Sequence, residues 1–289
     1  MGNRRPQLLS LKILTKTATC KLQPVLPMPK FLLAFILFTV VMCKANAQSW
    51  ELGGTLGAAG YIGDFNPANP VKFSGIAGGA FVKRNFNGYL SAKISYMYGL
   101  VSGADSVSTN QQYVNRNLSF SSSLSELSLI GEFNFIKYIP EIGENRFTPF
   151  IFAGVATTAY NPKATYKGLE YELRPLTTEG QQTPYKGSTI AIPYGAGIKF
   201  NFSGKWNFIA DLGYRSTFTP YLDDVAQAYA NKAQLSGVAR ALSDRSGEKT
   251  GVYLGTAGTQ RGNYRGNDTY MFLGFTLSYT FITQKCPAF

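Results

Sequence analysis

Few side chains in this sequence have the makings of a reactive site. Asp223 and Asp224 stand together at the head of residues 223–242, DDVAQAYANKAQLSGVARAL. An adjacent pair of carboxylates offers hard oxygen donors of the kind calcium takes. The same pair before an alanine-rich run suits a helix N-terminus, where a carboxylate accepts from backbone N–H groups and complements the dipole. The helix propensity of the run favours the capping reading and predicts at least one or two helical turns there. The 289 residues contain no histidine. This excludes Ser-His-Asp triads, histidine general acid–base catalysis and histidine-ligated metals. No nucleophile and base converge along the chain, so it is expected not to be an enzyme and to need no cofactor or metal.

The three cysteines are Cys20, Cys43 and Cys286. Cys20 and Cys43 fall in a segment with the marks of an export signal. Residues 31–42, FLLAFILFTVVM, form an apolar run preceded by Lys30 and followed by Ala45-Asn46-Ala47. The run has the length of a signal-peptide core and is too short to span a bilayer as a helix. Residues 1–47 are expected to be a signal peptide, with Met28 as an alternative start and cleavage after Ala47. That would leave Gln48 as the first residue of a mature domain at 48–289. Cys286 would then be the single remaining thiol, and no intramolecular disulfide framework could form. It either bonds to a partner or stays unpaired. With the terminal Phe289 it is the candidate partner contact.

The formal charge of +12 is concentrated in that export segment, which carries Arg4, Arg5, Lys12, Lys16, Lys21, Lys30 and Lys44 and no acid. Removing those seven from the 28 basic residues leaves 21 against 16 acidic ones. So modest a balance gives no nucleic-acid footprint. Charged residues are only 15% and aromatics 14% of the chain. Those values suit a transmembrane barrel with an apolar outside and interfacial aromatics, although a soluble β-sandwich has a similar composition.

The elements that must position these residues read as strands. In residues 189–202, Ile190, Ile192, Tyr194, Ala196, Ile198, Phe200 and Phe202 alternate with glycines, Lys199 and Asn201. Residues 206–218 repeat the pattern, with Trp206, Phe208, Ala210, Leu212, Tyr214 and Phe218 opposite Asn207, Asp211 and Arg215. In the last segment Met271, Leu273, Phe275, Leu277, Tyr279 and Phe281 share one face. Period-two alternation with a small or polar opposite face is the barrel signature. Residues 50–62, 75–84, 89–100, 118–136 and 147–159 give five more strands, the fourth with a phase slip near Leu124 that suggests a bulge.

That makes eight strands, and their connections alternate between short and long. Short ones fall near residues 85–88, 139–145 and 203–205, long ones near 63–74, 101–117, 160–188 and 219–267. Short periplasmic turns and long outer loops are how outer-membrane barrels are built; a sandwich has no reason to alternate in this way. The predicted fold is therefore all-β, an eight-stranded antiparallel transmembrane barrel in the outer membrane, in contact with its lipid. Pro193, inside the cleanest strand, removes a ladder hydrogen bond and calls for a bulge or a place near a strand end. The echo Arg261-Gly262-Asn263 and Arg265-Gly266-Asn267 is ordinary turn chemistry.

A series of blocks runs through the mature chain in order. Gly60-Tyr61-Ile62-Gly63-Asp64-Phe65-Asn66-Pro67 comes first, then Thr148-Pro149-Phe150-Ile151-Phe152-Ala153-Gly154 and Tyr160-Asn161-Pro162-Lys163-Ala164. Leu173-Arg174-Pro175-Leu176-Thr177-Thr178-Glu179-Gly180-Gln181 and Ile192-Pro193-Tyr194-Gly195 follow. Phe218-Thr219-Pro220-Tyr221-Leu222-Asp223-Asp224-Val225, Arg261-Gly262-Asn263 and Cys286-Pro287-Ala288-Phe289 complete the series. In this order they resemble PorG-like outer-membrane proteins of type IX secretion systems. The resemblance implies an eight-stranded barrel associated with the periplasmic ring of that machinery, which is built from a lipoprotein and its partner protein. The periplasmic turn at 139–145 and the tail at 282–289 are the expected contacts. The alternative is a small outer-membrane barrel of unrelated role: porin-like, ligand-binding or adhesive.

Overall fold

The computed structural model describes residues 49–140, 145–264 and 266–282. The expected signal peptide with its cleavage site, the middle of the turn at 139–145, and the tail with Cys286 and Phe289 lie outside the described residues.

Nine strands form one antiparallel sheet: β1 (Ser49–Ile62), β2 (Phe73–Asn85), β3 (Leu90–Ala104), β4 (Ser119–Asn134), β5 (Phe147–Tyr166), β6 (Leu169–Glu172), β7 (Ser188–Ser203), β8 (Trp206–Thr217) and β9 (Thr269–Ile282). The order is β4-β3-β2-β1-β9-β8-β7-β5-β6, and β4 also pairs with β5. That extra pairing closes eight strands into a barrel without an edge. Among the described residues, helices occur only in the outer loops: α1 (Gln111–Arg116), α2 (Gly237–Ser243) and α3 (Ser246–Thr250). Among the described residues no helix is long and apolar enough to cross a membrane.

The outward face carries the alternating apolar residues of the sequence. Leu56, Ile76, Ile94, Leu129, Ile198 and Phe275 are exposed, while Glu51, Lys83, Glu132 and Lys199 are buried inside. Trp206 stacks edge-on against Tyr279, and the Arg84 guanidinium lies 4.8 Å from the Trp50 ring centroid, both at the short-turn end. Such amphipathic rings mark a membrane–water interface. Closure, apolar exterior and interfacial aromatics make this an outer-membrane β-barrel.

Four local expectations change. The register of β4 with both neighbours is continuous through Leu124, so there is no bulge there. The apparent slip arises because Phe120 and Leu124 point inward at the outer end, into a second core. The loop expected at 160–188 is partly strand. β5 runs on past the rim and turns back at Lys167 and Gly168, both with positive φ, into β6; two consecutive positive φ values are those of a type I′ hairpin turn. The one or two helical turns expected in residues 223–242 do form, as α2, but at the far end of the run from Asp223 and Asp224. Met271 lies in phase with the outward residues of β9 but is fully buried. The first outer loop folds down the outside of the wall there, where Tyr214 Oη donates to the Pro70 carbonyl at 3.1 Å.

Pro193 faces inward. The β5–β7 ladder is interrupted between Ala153↔Tyr194 and Ala156↔Ala191, whereas Pro193↔Arg215 stays in register on the β8 side. The missing proline N–H falls on the interrupted side, so the barrel accommodates it without a free edge.

Candidate functional site

Two polar systems fill this barrel, one in the lumen and one in the cap above it. In the lumen, β4 presents Glu132 to lysines from three other strands. Lys199 Nζ lies 2.6 Å away, Lys93 Nζ 2.9 Å and Lys83 Nζ 3.5 Å. Lys83 also meets Glu51 at 3.0 Å. Farther along β4 toward the outer loops, Arg215 Nε donates to Glu126 at 3.0 Å, and Tyr270 Oη donates to the same oxygen at 2.7 Å. Rings pack on the cations: Lys199 is 4.4 Å from the Phe150 centroid and Arg215 4.5 Å from that of Phe272. A cavity of about 30 Å³, bordered by Lys93, Asp211 and Arg215, has room for about one water. At the short-turn end, Tyr138 folds under the barrel and donates to Asn207 Oδ1 at 2.7 Å. The lumen is a packed polar core, as the width of eight strands requires.

The cap is built from all four outer loops. Arg116, at the end of α1, makes a two-pronged contact with Asp105 at 2.7 Å on each prong, and donates to the Arg261 carbonyl at 2.6 Å. The αL conformation of Asn117, with φ +57°, ends that helix and turns the chain back into β4. Arg261 reaches Glu179 at 3.1 Å and Asp224 at 3.6 Å, and donates to the carbonyls of Asp224 and Ser243. Asp224 also accepts from Thr178 and from Tyr185 at 2.8 Å. The third and fourth loops are thus tied through one guanidinium. Burial pushes the Asp224 carboxyl up to about 6, against the opposing pull of Arg261.

Asp223 and Asp224 therefore do different things, and neither caps a helix. Asp223 points the other way, toward Asp64 of the first loop and Asp268 just before β9. The three buried carboxylates have oxygens within 4.8 Å of one another. Tyr61 Oη donates to Asp223, and the backbone N–H groups of Asn263 and Leu222 donate to Asp64 and Asp268. Burial, and then the charge of its neighbours, holds Asp223 well above the usual carboxylate range. Asp268 is raised in the same way, and burial lifts Asp64 to about 6. These are the residues among those described that could share a hard cation; protons do the same work of relieving repulsion. The sequence reading isolated Asp223 and missed Asp64 and Asp268, which lie far apart along the chain.

The domain-of-unknown-function model DUF6089 matches residues 30–238, from before β1 into α2. The chain belongs to the DUF6089 family. No curated protein matches it. Its structure is similar to the N-terminal β-barrel domain of OprF from Pseudomonas aeruginosa, at 13% identity over 82% of this chain and 100% of that one, with a TM-score of 0.36. It is also similar to Neisserial surface protein A (8% identity, 81% and 97% covered, TM-score 0.38) and to a major outer membrane protein from Thermus thermophilus (11%, 82% and 100%, TM-score 0.40).

Proposed function

We propose that this DUF6089 barrel is a non-enzymatic accessory component of a type IX secretion apparatus, contacting its periplasmic ring. The observation that carries the reading is the ordered series of PorG-like blocks, from Gly60-Tyr61-Ile62-Gly63-Asp64-Phe65 to Cys286-Pro287-Ala288-Phe289. The geometry agrees with a structural role. The lumen is filled by ion-paired side chains, which argues against a general pore. The cap is knit by buried arginines, and the periplasmic turn is anchored at its base by Tyr138 and by Asn145, whose side chain donates to the Lys137 carbonyl at 3.1 Å. The ring lipoprotein and its partner are the proposed binding proteins, with Cys286 and Phe289 in the contact.

Deletion of the gene tests this reading. Loss of type IX cargo from the medium, with the cargo retained in the periplasm, is expected. Normal secretion would overturn it in favour of a small barrel with a ligand-binding or adhesive role carried by the cap.

A further inference from the structure

At the outer rim, between β5, β7 and the end of β8, the wall carries an open groove of about 640 Å³. Its floor and sides come from both faces of the sheet. Thr157, Ile190 and Phe218 face outward, whereas Tyr160 and Thr219 belong to the buried interior beneath the cap. The sheet opens here because the chain leaves the wall at Gly187, whose carbonyl accepts from Tyr160 N–H as the last rung beside β5. Tyr160 is held from behind by a stack. Its ring lies 6.3 Å from that of Tyr185, which lies 4.6 Å from that of Tyr221 with nearly parallel planes. The groove is therefore preformed.

Its height on the barrel decides what it can meet. Ile190 and Phe218 are the outermost exposed apolar residues of β7 and of the strand end at β8. From Ile190 to Phe202 the β7 wall covers on the order of 30 Å along the membrane normal, allowing for strand tilt. Ile190 and Phe218 thus stand at the outer boundary of the hydrocarbon.

Directly above them are two cations, Lys186 on the groove wall and Arg174 beside it. The Arg174 guanidinium lies so close to Gly187 that a Cβ there would sit 2.6 Å from Nη1. Both side chains are exposed, and neither forms an ion pair among the described residues. The acids nearby in the chain are engaged elsewhere, Glu170 with Lys163 and Glu172 with Asn161. Apolar wall below, the exposed Thr157 at the middle and unpaired cations above complement one kind of molecule: a lipid with a phosphate-bearing headgroup, lying in the outer leaflet.

We propose that this groove binds a phosphorylated lipid of the outer leaflet, its acyl chain on Ile190 and Phe218 and its phosphate on Lys186 and Arg174. Charge-assisted hydrogen bonds from a guanidinium and an ammonium are the strong contacts available to a phosphate at an interface.

The test uses the full mature barrel in detergent micelles, titrated with diphosphoryl lipid A and followed by native mass spectrometry. One saturable equivalent per barrel is expected. The double variant R174Q/K186Q, with both changes on exposed side chains, is expected to weaken it at least about ten-fold, the loss of one or two charge-assisted contacts. Heat-shifted gel mobility verifies that the variant barrel is folded. The single variant I190S is expected to weaken diphosphoryl lipid A binding while leaving the barrel folded. Equal retention by the double variant, equal retention of dioleoylphosphatidylcholine, or competition by millimolar inorganic phosphate alone would each overturn the proposal.

Discussion

Lys199 Nζ sits 2.6 Å from Glu132 Oε2, with both side chains only 1% exposed, in the short-turn half of the packed lumen. Lys93 and Lys83 converge on the same carboxylate. Removing it by Glu132→Ala leaves buried ammonium groups without the partner they share. Unpaired buried charge of this kind costs roughly 3–5 kcal/mol. Urea unfolding, followed through Trp50 and Trp206, should shift to lower denaturant by a matching amount. An unchanged midpoint would mean that the lysines find water in the lumen.

The outward face predicts an asymmetric response to charge. Leu273 pairs with Leu212 across β8 and β9 near the middle of the wall. Leu273→Arg should impair insertion, because an arginine at that depth costs roughly 2–4 kcal/mol. Leu169 is also exposed but sits on the β5–β6 hairpin beyond the rim, and Leu169→Arg should insert normally. Heat-modifiable mobility of the two variants on gels distinguishes them. Equal behaviour would contradict the assigned membrane boundary.

Arg261 is the charged tie between the third and fourth outer loops, beside the hydrogen bonds of Thr178 and Tyr185 to Asp224. Arg261→Met leaves Glu179 and Asp224 buried without their guanidinium. The cap should open locally while the barrel stays folded, so trypsin should cut at Arg240, Arg245 and Lys249 about ten-fold faster, equivalent to roughly 1.4 kcal/mol of opening free energy. Cleavage at the wild-type rate would show that the cap is held by its apolar core instead.

The buried aspartates make the cap pH-sensitive. Asp64 and Asp224 titrate near 6 in the folded cap, and Asp223 and Asp268 are raised as well. A raised carboxylate favours the protonated folded form. Its contribution is fully present below the ordinary aspartate range near 4 and is lost as pH rises through about 6. Amide exchange in residues 222–263, corrected for intrinsic rates, should therefore be slower at pH 5 than at pH 7.5. Asp223→Asn should flatten that dependence. Faster protected exchange at pH 5 would reverse the sign and contradict the burial assigned to these groups.

The membrane-facing strands were legible because one periodicity, two residues, is written by one solvent boundary. Ile190, Ile192, Tyr194 and Ile198 face lipid as their alternation says, and Lys199 and Arg215 face the lumen. The pattern misleads where a second apolar environment appears. Leu124 turns inward because a cap core waits there, and Met271 is covered by the first loop. The Lys167-Gly168 turn was present in the sequence as a glycine between two short apolar-flanked segments. The acidic trio was not legible, since Asp64, Asp223 and Asp268 come from three segments that only barrel closure and loop packing bring together.

The proposal that this barrel works through its periplasmic side is tested most directly by affinity purification from native outer membranes. The tagged full-length barrel and a variant lacking residues 284–289 are compared by mass spectrometry. The ring lipoprotein and its partner should co-purify with the full chain and be depleted with the shortened one, at equal outer-membrane abundance. Absence of both ring proteins from the full-length sample, under conditions that preserve the ring itself, would contradict the account.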